Sequence, residues 1–228
     1  MRAVILAGGQ GTRLRPYTAL IPKPLVPLTS EKAIVEVVIE QLVASGFTRI
    51  TLAVNHFAKL IQTYFGNGAA LGVQIDYVLE DHALGTMGPL ALIEDLPGHF
   101  LVMNGDVLTD LHYGQFLHHH ASQDSLFTIS AFRREEKSEF GVLQEHDGFL
   151  TGFLEKPRTE RLVSMGVYAM KRELLKVIPR SGPFGFDDLM LKMLKQNLPV
   201  RVEEWSGSWL DVGRPEDYEK AQALFEDS

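Results

Sequence analysis

Three glycines and three cations crowd the stretch from Leu6 to Leu28: Gly8, Gly9 and Gly11, then Thr12, Arg13 and Arg15, then Lys23 between Pro22 and Pro24. The apolar run Ala3 to Ala7 before them reads as a buried strand. A strand that opens into a glycine-rich, cationic loop suits phosphate. The backbone can approach closely and aim its N–H groups at oxygen, while Arg and Lys supply countercharge. The prolines flanking Lys23 restrict the local backbone and so present its ammonium. The glycines alone are also compatible with an ordinary turn after a first strand. Two familiar loops are excluded. Gly9 to Leu14 lacks the third glycine of a dinucleotide fingerprint, and no G-K-[ST] of a Walker loop occurs.

Carboxylates supply the second half of the chemistry. Asn104-Gly105-Asp106 follows the apolar run Phe100 to Met103, at the carboxyl end of a predicted strand, where ligands sit in open α/β sheets. Asp106 there suits Mg²⁺, which takes one or two carboxylates together with phosphate oxygens; capping the next segment is the alternative. Asp211 leads into Gly213 and Pro215, so a helix cap is its rival role. Glu155 and Lys156, adjacent on an extended segment, point to opposite sides and do not simply pair; a solvated strand end would look the same. Glu80 precedes Leu84-Gly85-Thr86. Its carboxylate would accept hydrogen bonds from the N1–H and N2–H₂ edge of guanine and suits uracil or thymine less well, unless it is an exposed loop acid. His118, His119 and His120 point about 100° apart on a helix and cannot chelate one ion together; a solvated helix end is expected.

The elements that must position these groups alternate between strand and helix in the first half. Helical spacing covers Glu31 to Ser45, His56 to Phe65 and Leu84 to Leu96; strands are expected at Arg49 to Val54, Val73 to Leu79 and Phe100 to Met103. That alternation predicts an α/β fold, Rossmann-like with three α/β/α layers around a mixed, mostly parallel sheet. In the second half, helices are expected at Tyr113 to Ala121, Lys171 to Ile178, Gly185 to Gln196 and Arg214 to Phe225. Strands are expected at Leu126 to Arg133, Phe140 to Gln144, Phe149 to Leu154, Val163 to Met170 and Val200 to Glu204, adding antiparallel members to the sheet. With no linker in 228 residues, one domain over 1–228 is expected. A net charge of -7 argues against a nucleic-acid binder, and the absence of cysteine excludes disulfides, thiolate sites and a cysteine nucleophile. No apolar run approaches the roughly 18 residues of a membrane span, and the start lacks a secretory apolar region, so a cytoplasmic protein is expected.

Taken whole, GGQGTRLRPYTALIPKPLVPL resembles the signature of the sugar-1-phosphate nucleotidyltransferases, and the likeness extends from Ala3 to Tyr218. It implies a Mg²⁺-dependent transfer from a nucleoside triphosphate to a sugar-1-phosphate, releasing pyrophosphate. Asp106 and Asp211, the latter in WLDVGRPEDY, would be the metal ligands. Arg13 would grip the triphosphate and Lys23 the reacting phosphates. Leu6, Gly8, Gly9, Gly11, Thr12, Glu80, Gly85 and Thr86 would line the nucleotide side. Gly105, Gly141, Glu155, Lys156, Ser164 and Gly166 would line the sugar-phosphate side. Two departures stand out: Met87 replaces a usual small residue in L-G-T-A-G, and Ser164 stands near where the family usually has asparagine. The branch most resembled is the compact guanylyltransferases acting on mannose- or heptose-type 1-phosphates. Uridylyl- or thymidylyltransferases acting on amino-sugar or glucose 1-phosphates are the alternative, and a non-catalytic nucleotide-sugar-binding regulatory subunit is a further one. A homo-oligomer is possible; neither nucleic acid nor membrane is expected as a partner.

Overall fold

The computed structural model describes residues 1–9, 11–55, 57–123 and 125–226. The first strand, β1 (Arg2–Leu6), is apolar throughout its middle and is the central strand of the first half, covered on both faces. After it come α1 (Ile34–Ala44), β2 (Arg49–Val54), α2 (Ala58–Phe65), β3 (Gln74–Leu79), β4 (His99–Asn104), β5 (Val107–Thr109) and α3 (Tyr113–Ser122). The second half supplies β6 (Phe127–Lys137), β7 (Val142–His146), β8 (Phe149–Leu154), β9 (Arg158–Lys171), α4 (Phe186–Lys195), β10 (Val200–Trp205), β11 (Trp209–Asp211) and α5 (Pro215–Glu226). The expected start of the second helix, His56, lies outside the described residues.

Seven strands form the main sheet in the order β10-β6-β9-β4-β1-β2-β3. Alternation along each strand divides the core into two layers. Ala3, Ile5, Leu101 and Met103 face α1, α2, α3 and α5; Val4, Phe100 and Val102 face α4 and the Met87–Leu90 turn. The expected three-layer α/β architecture is therefore present. Chain order reverses direction across the sheet between β1 and β4, and at this switch point the carboxyl ends of both strands open one crevice.

Several expectations change in detail. Only β9 runs against the rest of the main sheet, because β6 and β10 follow the parallel set. The segment expected to be a helix over Leu84 to Leu96 holds only a short 3-10 turn, Gly88–Leu92. The amides of Met87 and Gly88, which would have extended a helix, instead donate to Phe184 O at 3.0 and 3.1 Å. Lys171 to Ile178 likewise reduces to a 3-10 turn at Arg172–Lys176. Strand β9 is far longer than Val163 to Met170, since its first half pairs with the end of β6 to form an arm beyond the sheet edge. That arm carries the separate β7–β8 hairpin; Phe140 just before it and Phe149 on it are 77% and 76% exposed.

The histidine triplet is a partial correction. His118 and His119 are exposed, but His120 is buried, with its Nδ1 2.8 Å from Thr128 Oγ1. Tyr113, Phe116, Leu117 and His120 share one helical face against the core, so the spacing that buries the first three buries the last.

Candidate active site

The loop after β1 is pinned from below. Ala7 N donates to Ala53 O at 2.9 Å, Gly105 N donates to Leu6 O at 3.1 Å, and the Asn55 side-chain amide donates to Gly8 O. Gly8 is a requirement of space: a Cβ there would lie 2.6 Å from Glu80 Oε1. Gly11 is a requirement of conformation, with φ at +62° and its carbonyl accepting from Thr18 Oγ1 at 2.7 Å. Gly9, Thr12 and Arg13 stand beyond, Gly9, Thr12 and Arg13 all exposed, while Leu14 is fully buried and anchors the turn.

Glu80 is not an exposed loop acid. It follows β3 directly, is only 9% exposed, and accepts from Leu84 N at 3.1 Å. Burial raises its pKa, opposed by that amide and by His82. Gly85 and Thr86 lie on the exposed turn beside it, held by Phe184 N donating to Leu84 O at 2.7 Å and Phe186 N donating to Thr86 Oγ1 at 2.8 Å.

The two distant acids meet. Strands β5 and β11 pair antiparallel with Val107 opposite Asp211, and Val212 N donates to Asp106 O at 2.9 Å. This short ladder places residues 105 positions apart in the chain on one centre. Lys23, presented by the turn Lys23–Leu25, pairs with Asp106. Asp211 Oδ1 is buried without a hydrogen-bond partner. Burial raises the Asp211 pKa first and the Asp106 charge second, while Lys23 and Arg13 oppose both. A Cβ on Gly213 would sit 3.9 Å from Arg13 Cζ and 3.6 Å from Asp211 Oδ1, which puts the guanidinium beside this acid. A partnerless buried carboxylate oxygen beside a second carboxylate is a donor set suited to a hard divalent cation. Helix capping is not the role of Asp211, whose residue lies in a strand.

Of the residues expected to line the sugar-phosphate, Ser164 and Gly166 sit where the β6–β9 ladder shifts register. Ser164 Oγ donates to Tyr168 Oη at 3.2 Å and accepts from Gly166 N at 3.3 Å. A Cβ on Gly166 would approach Asn104 Nδ2 to 2.7 Å, so this bulge packs on the strand that ends at Gly105 and Asp106. Gly141 and Glu155 come together across the base of the hairpin, Glu155 Oε2 lying 3.3 Å from a Cβ built on Gly141. Glu155 and Lys156 are nevertheless exposed, and no described contact joins them to Asp106 or Asp211.

Sequence reasoning missed Asn55 and Thr18 as the supports of Gly8 and Gly11. It also missed Tyr168, whose pKa is raised by burial first and further by the charges of Asp106 and Asp211, with the Ser164 bond opposing. A phenol inside an apolar strand carries no local signal of the acids it faces.

An α/β crevice at a switch point, with a glycine-rich loop, two converging carboxylates and flanking cations, is the kind of site at which open α/β sheets take phosphorylated ligands. The chain belongs to the nucleotidyl transferase family, which it matches over residues 2–228. It is 34% identical to a UTP–glucose-1-phosphate uridylyltransferase of Synechocystis sp., covering 97% of this chain and 62% of that one. It is also 34% identical to the mannose-1-phosphate guanylyltransferase catalytic subunit beta of Dictyostelium discoideum, covering 99% and 64%. The chain thus spans somewhat less than two thirds of these relatives' length. Among solved structures it resembles HddC from Yersinia pseudotuberculosis complexed with GMP-PN, at 30% identity and a TM-score of 0.75, with 99% of each chain covered. Among the described residues, no helix is long and apolar enough to cross a membrane.

Proposed function

We propose that this chain transfers a nucleotidyl group from a nucleoside triphosphate to a sugar-1-phosphate, giving a nucleotide-sugar and pyrophosphate. The observation that carries the reading is the meeting of Asp106 and Asp211 through the β5–β11 ladder, with Lys23 and Arg13 against them. An oxygen of the sugar phosphate attacks the α-phosphorus, the bond to the bridging oxygen of the β-phosphate breaks, and pyrophosphate carries the electron pair away. Such a transfer needs positioning and charge neutralisation rather than a covalent nucleophile. Asp106 and Asp211 would hold Mg²⁺, which when bound offsets the charge on the phosphates.

The cleft between Leu6, Ala7, Gly9, Lys23, Gly105 and Asp106 holds only about 60 Å³. The Lys23–Asp106 pair borders it; with a triphosphate bound, Lys23 would turn to phosphate and Asp106 would be left to hold Mg²⁺ with Asp211. Arg13, exposed beside Asp211, would take the departing pyrophosphate. Gly8, Gly11 and Thr12 line the approach of the nucleotide, and Gly85 and Thr86 border it near Glu80. Gly105, Ser164 and Gly166 would border the sugar. Gly141, Glu155 and Lys156 would reach it from the arm, Glu155 toward hydroxyls and Lys156 toward the phosphate.

For the base, guanine is preferred, with a mannose- or heptose-type 1-phosphate as acceptor. Glu80, buried under Gly8 with Oε2 already accepting from Leu84 N, keeps lone pairs that can accept from the two donors of a guanine edge, whereas uracil and thymine offer one. Guanylyl transfer is also the named activity of the Dictyostelium relative. Uridylyl transfer is the named activity of the Synechocystis relative.

The test is pyrophosphate release from a grid of nucleoside triphosphates and sugar-1-phosphates, with and without Mg²⁺. Wild type is expected to release it only with the metal. Asp106→Asn and Asp211→Asn should each lower kcat at least about a hundredfold while remaining folded. Mg²⁺-independent turnover, or an Asp211→Asn enzyme of normal rate, removes the pair from the mechanism. Binding of a nucleotide-sugar without any turnover would move the assignment to a regulatory protein.

A further inference from the structure

Besides the small cleft at Lys23 there is a larger hollow, about 450 Å³, that Asp211 lines. Four cations border it: Arg13 from the first loop, Arg134 from the end of β6, Arg214 from the turn after Asp211, and Lys220 from α5. Phe132 and Trp209, with ring centroids 5.4 Å apart, wall it on another side.

The pairing pattern singles these cations out. On the same arm, Arg133 is bound to Glu204 at 2.7 Å, Arg158 to Glu135 at 2.9 Å and Arg161 to Glu136 at 3.4 Å. Arg134, between such neighbours, has no carboxylate within ion-pair distance among the described residues, and the same holds for Arg214 and Lys220, while Arg13 stands beside Asp211. Strand alternation explains the split on the arm: Arg133 faces Glu204 on β10, so Arg134 points to the other side. Two carboxylates besides Asp211 also line the hollow, Glu216 and Asp217. With Asp211 committed to a metal ion, four cations face two acids, and the balance is positive in a chain whose net charge is -7.

We infer that Arg134, Arg214 and Lys220 complete, with Arg13, an anion-holding wall whose ligand is a reactant phosphate: either the phosphomonoester of the sugar-1-phosphate or the pyrophosphate that leaves. This rests on the transfer reaction proposed above. Residues Arg134, Arg214 and Lys220 carry no signal of this in sequence, because they come from three separate elements and meet only when β11 docks on β5. The guanidinium forks suit phosphate oxygens, and exposure to water on the open side lets product depart.

The test uses the full chain and the variants Arg134→Ala, Arg214→Ala, Lys220→Ala and the Arg134/Arg214 double, with Arg133→Ala as control. Michaelis constants are measured for triphosphate and sugar-1-phosphate in the forward direction and for pyrophosphate in reverse. Removing either arginine is expected to raise the constant of each reactant whose phosphate the wall holds about tenfold, the size of one lost charge-assisted hydrogen bond, and Arg133→Ala to change none. A rise confined to the sugar-1-phosphate assigns the wall to the acceptor; a joint rise for pyrophosphate and triphosphate assigns it to the leaving group. Unchanged constants in the double variant, or a fall in kcat alone, overturn the proposal. Calorimetric titration with inorganic pyrophosphate and with a sugar-1-phosphate separates the two layers. A wild-type chain that binds either anion but catalyses no transfer refutes the reaction and leaves the wall standing. Binding of both that is equal in wild type and double variant refutes the wall alone.

Discussion

Gly8→Ala is the sharpest probe of how the loop and Glu80 are built together. The added Cβ would lie 2.6 Å from Glu80 Oε1, inside any ordinary contact distance. The carboxylate cannot simply swing away, because its other oxygen holds Leu84 N at 3.1 Å. Either that bond to a charged acceptor is lost, at about 1.5–3 kcal/mol, or the loop is overpacked, at about 1–3 kcal/mol. A cost near 2 kcal/mol follows by either route. In a Glu80→Ala background the obstacle is gone. Gly8 is not left-handed, so alanine there should stabilise by about 0.4–1 kcal/mol through the unfolded chain. The effect of one substitution thus changes sign with its neighbour. Glu80→Gln, equal in size but uncharged, should leave the cost of Gly8→Ala in place and so separate contact from charge. Urea unfolding of the four proteins of the Gly8/Glu80 cycle at pH 7 measures the coupling. An equal cost of Gly8→Ala in both backgrounds would refute the placement of Glu80 beneath the loop, and with it the physical argument for guanine.

Three further outcomes are expected. Burial raises the Glu80 pKa, so the folded chain disfavours its charged form, and the stability it leaves in place below the unfolded carboxylate value is lost as pH rises through the folded one. Glu80→Gln should therefore gain stability on wild type between pH 4 and pH 7 while losing preference for guanosine triphosphate; unaltered discrimination in the substrate grid discards Glu80 as the reader. His120 is pushed down to about 4 by burial first, then by His99 and Lys171, so below pH 6.5 the unfolded chain takes up a proton that the folded chain refuses. Stability should fall by up to about 3 kcal/mol as pH drops from 6.5 to 4, and His120→Asn should flatten that limb of the melting curve. If the limb is identical in the variant, another group drives the acid sensitivity. Phe149→Ser on the exposed hairpin should change stability by less than about 0.5 kcal/mol, and a loss several times larger would mean that the arm is packed in solution.

The parts legible in sequence are those whose signal is local. β1 and β2 are short apolar runs, β3 alternates apolar and polar residues, α1 repeats its apolar residues at helical spacing, and the glycines follow a strand end directly. The three-layer architecture could be read from that alternation alone. What could not be read depends on partners distant in the chain. The amides of Met87 and Gly88 leave the expected helix for a carbonyl at Phe184, a choice nothing near residue 87 announces. Strands β5 and β11 are three residues each and too short for any periodicity, yet their ladder is what brings Asp211 to Asp106. The two acids were identifiable one at a time, by their place after an apolar run and before a turn. Their convergence, the buried oxygen left on Asp211, and the cations gathered around the hollow it lines are properties of the tertiary fold. A substitution that breaks β5–β11 pairing without touching either acid should thus cost the chemistry as much as removing one of them, which makes the ladder itself, through Val107 and Leu210, part of the site.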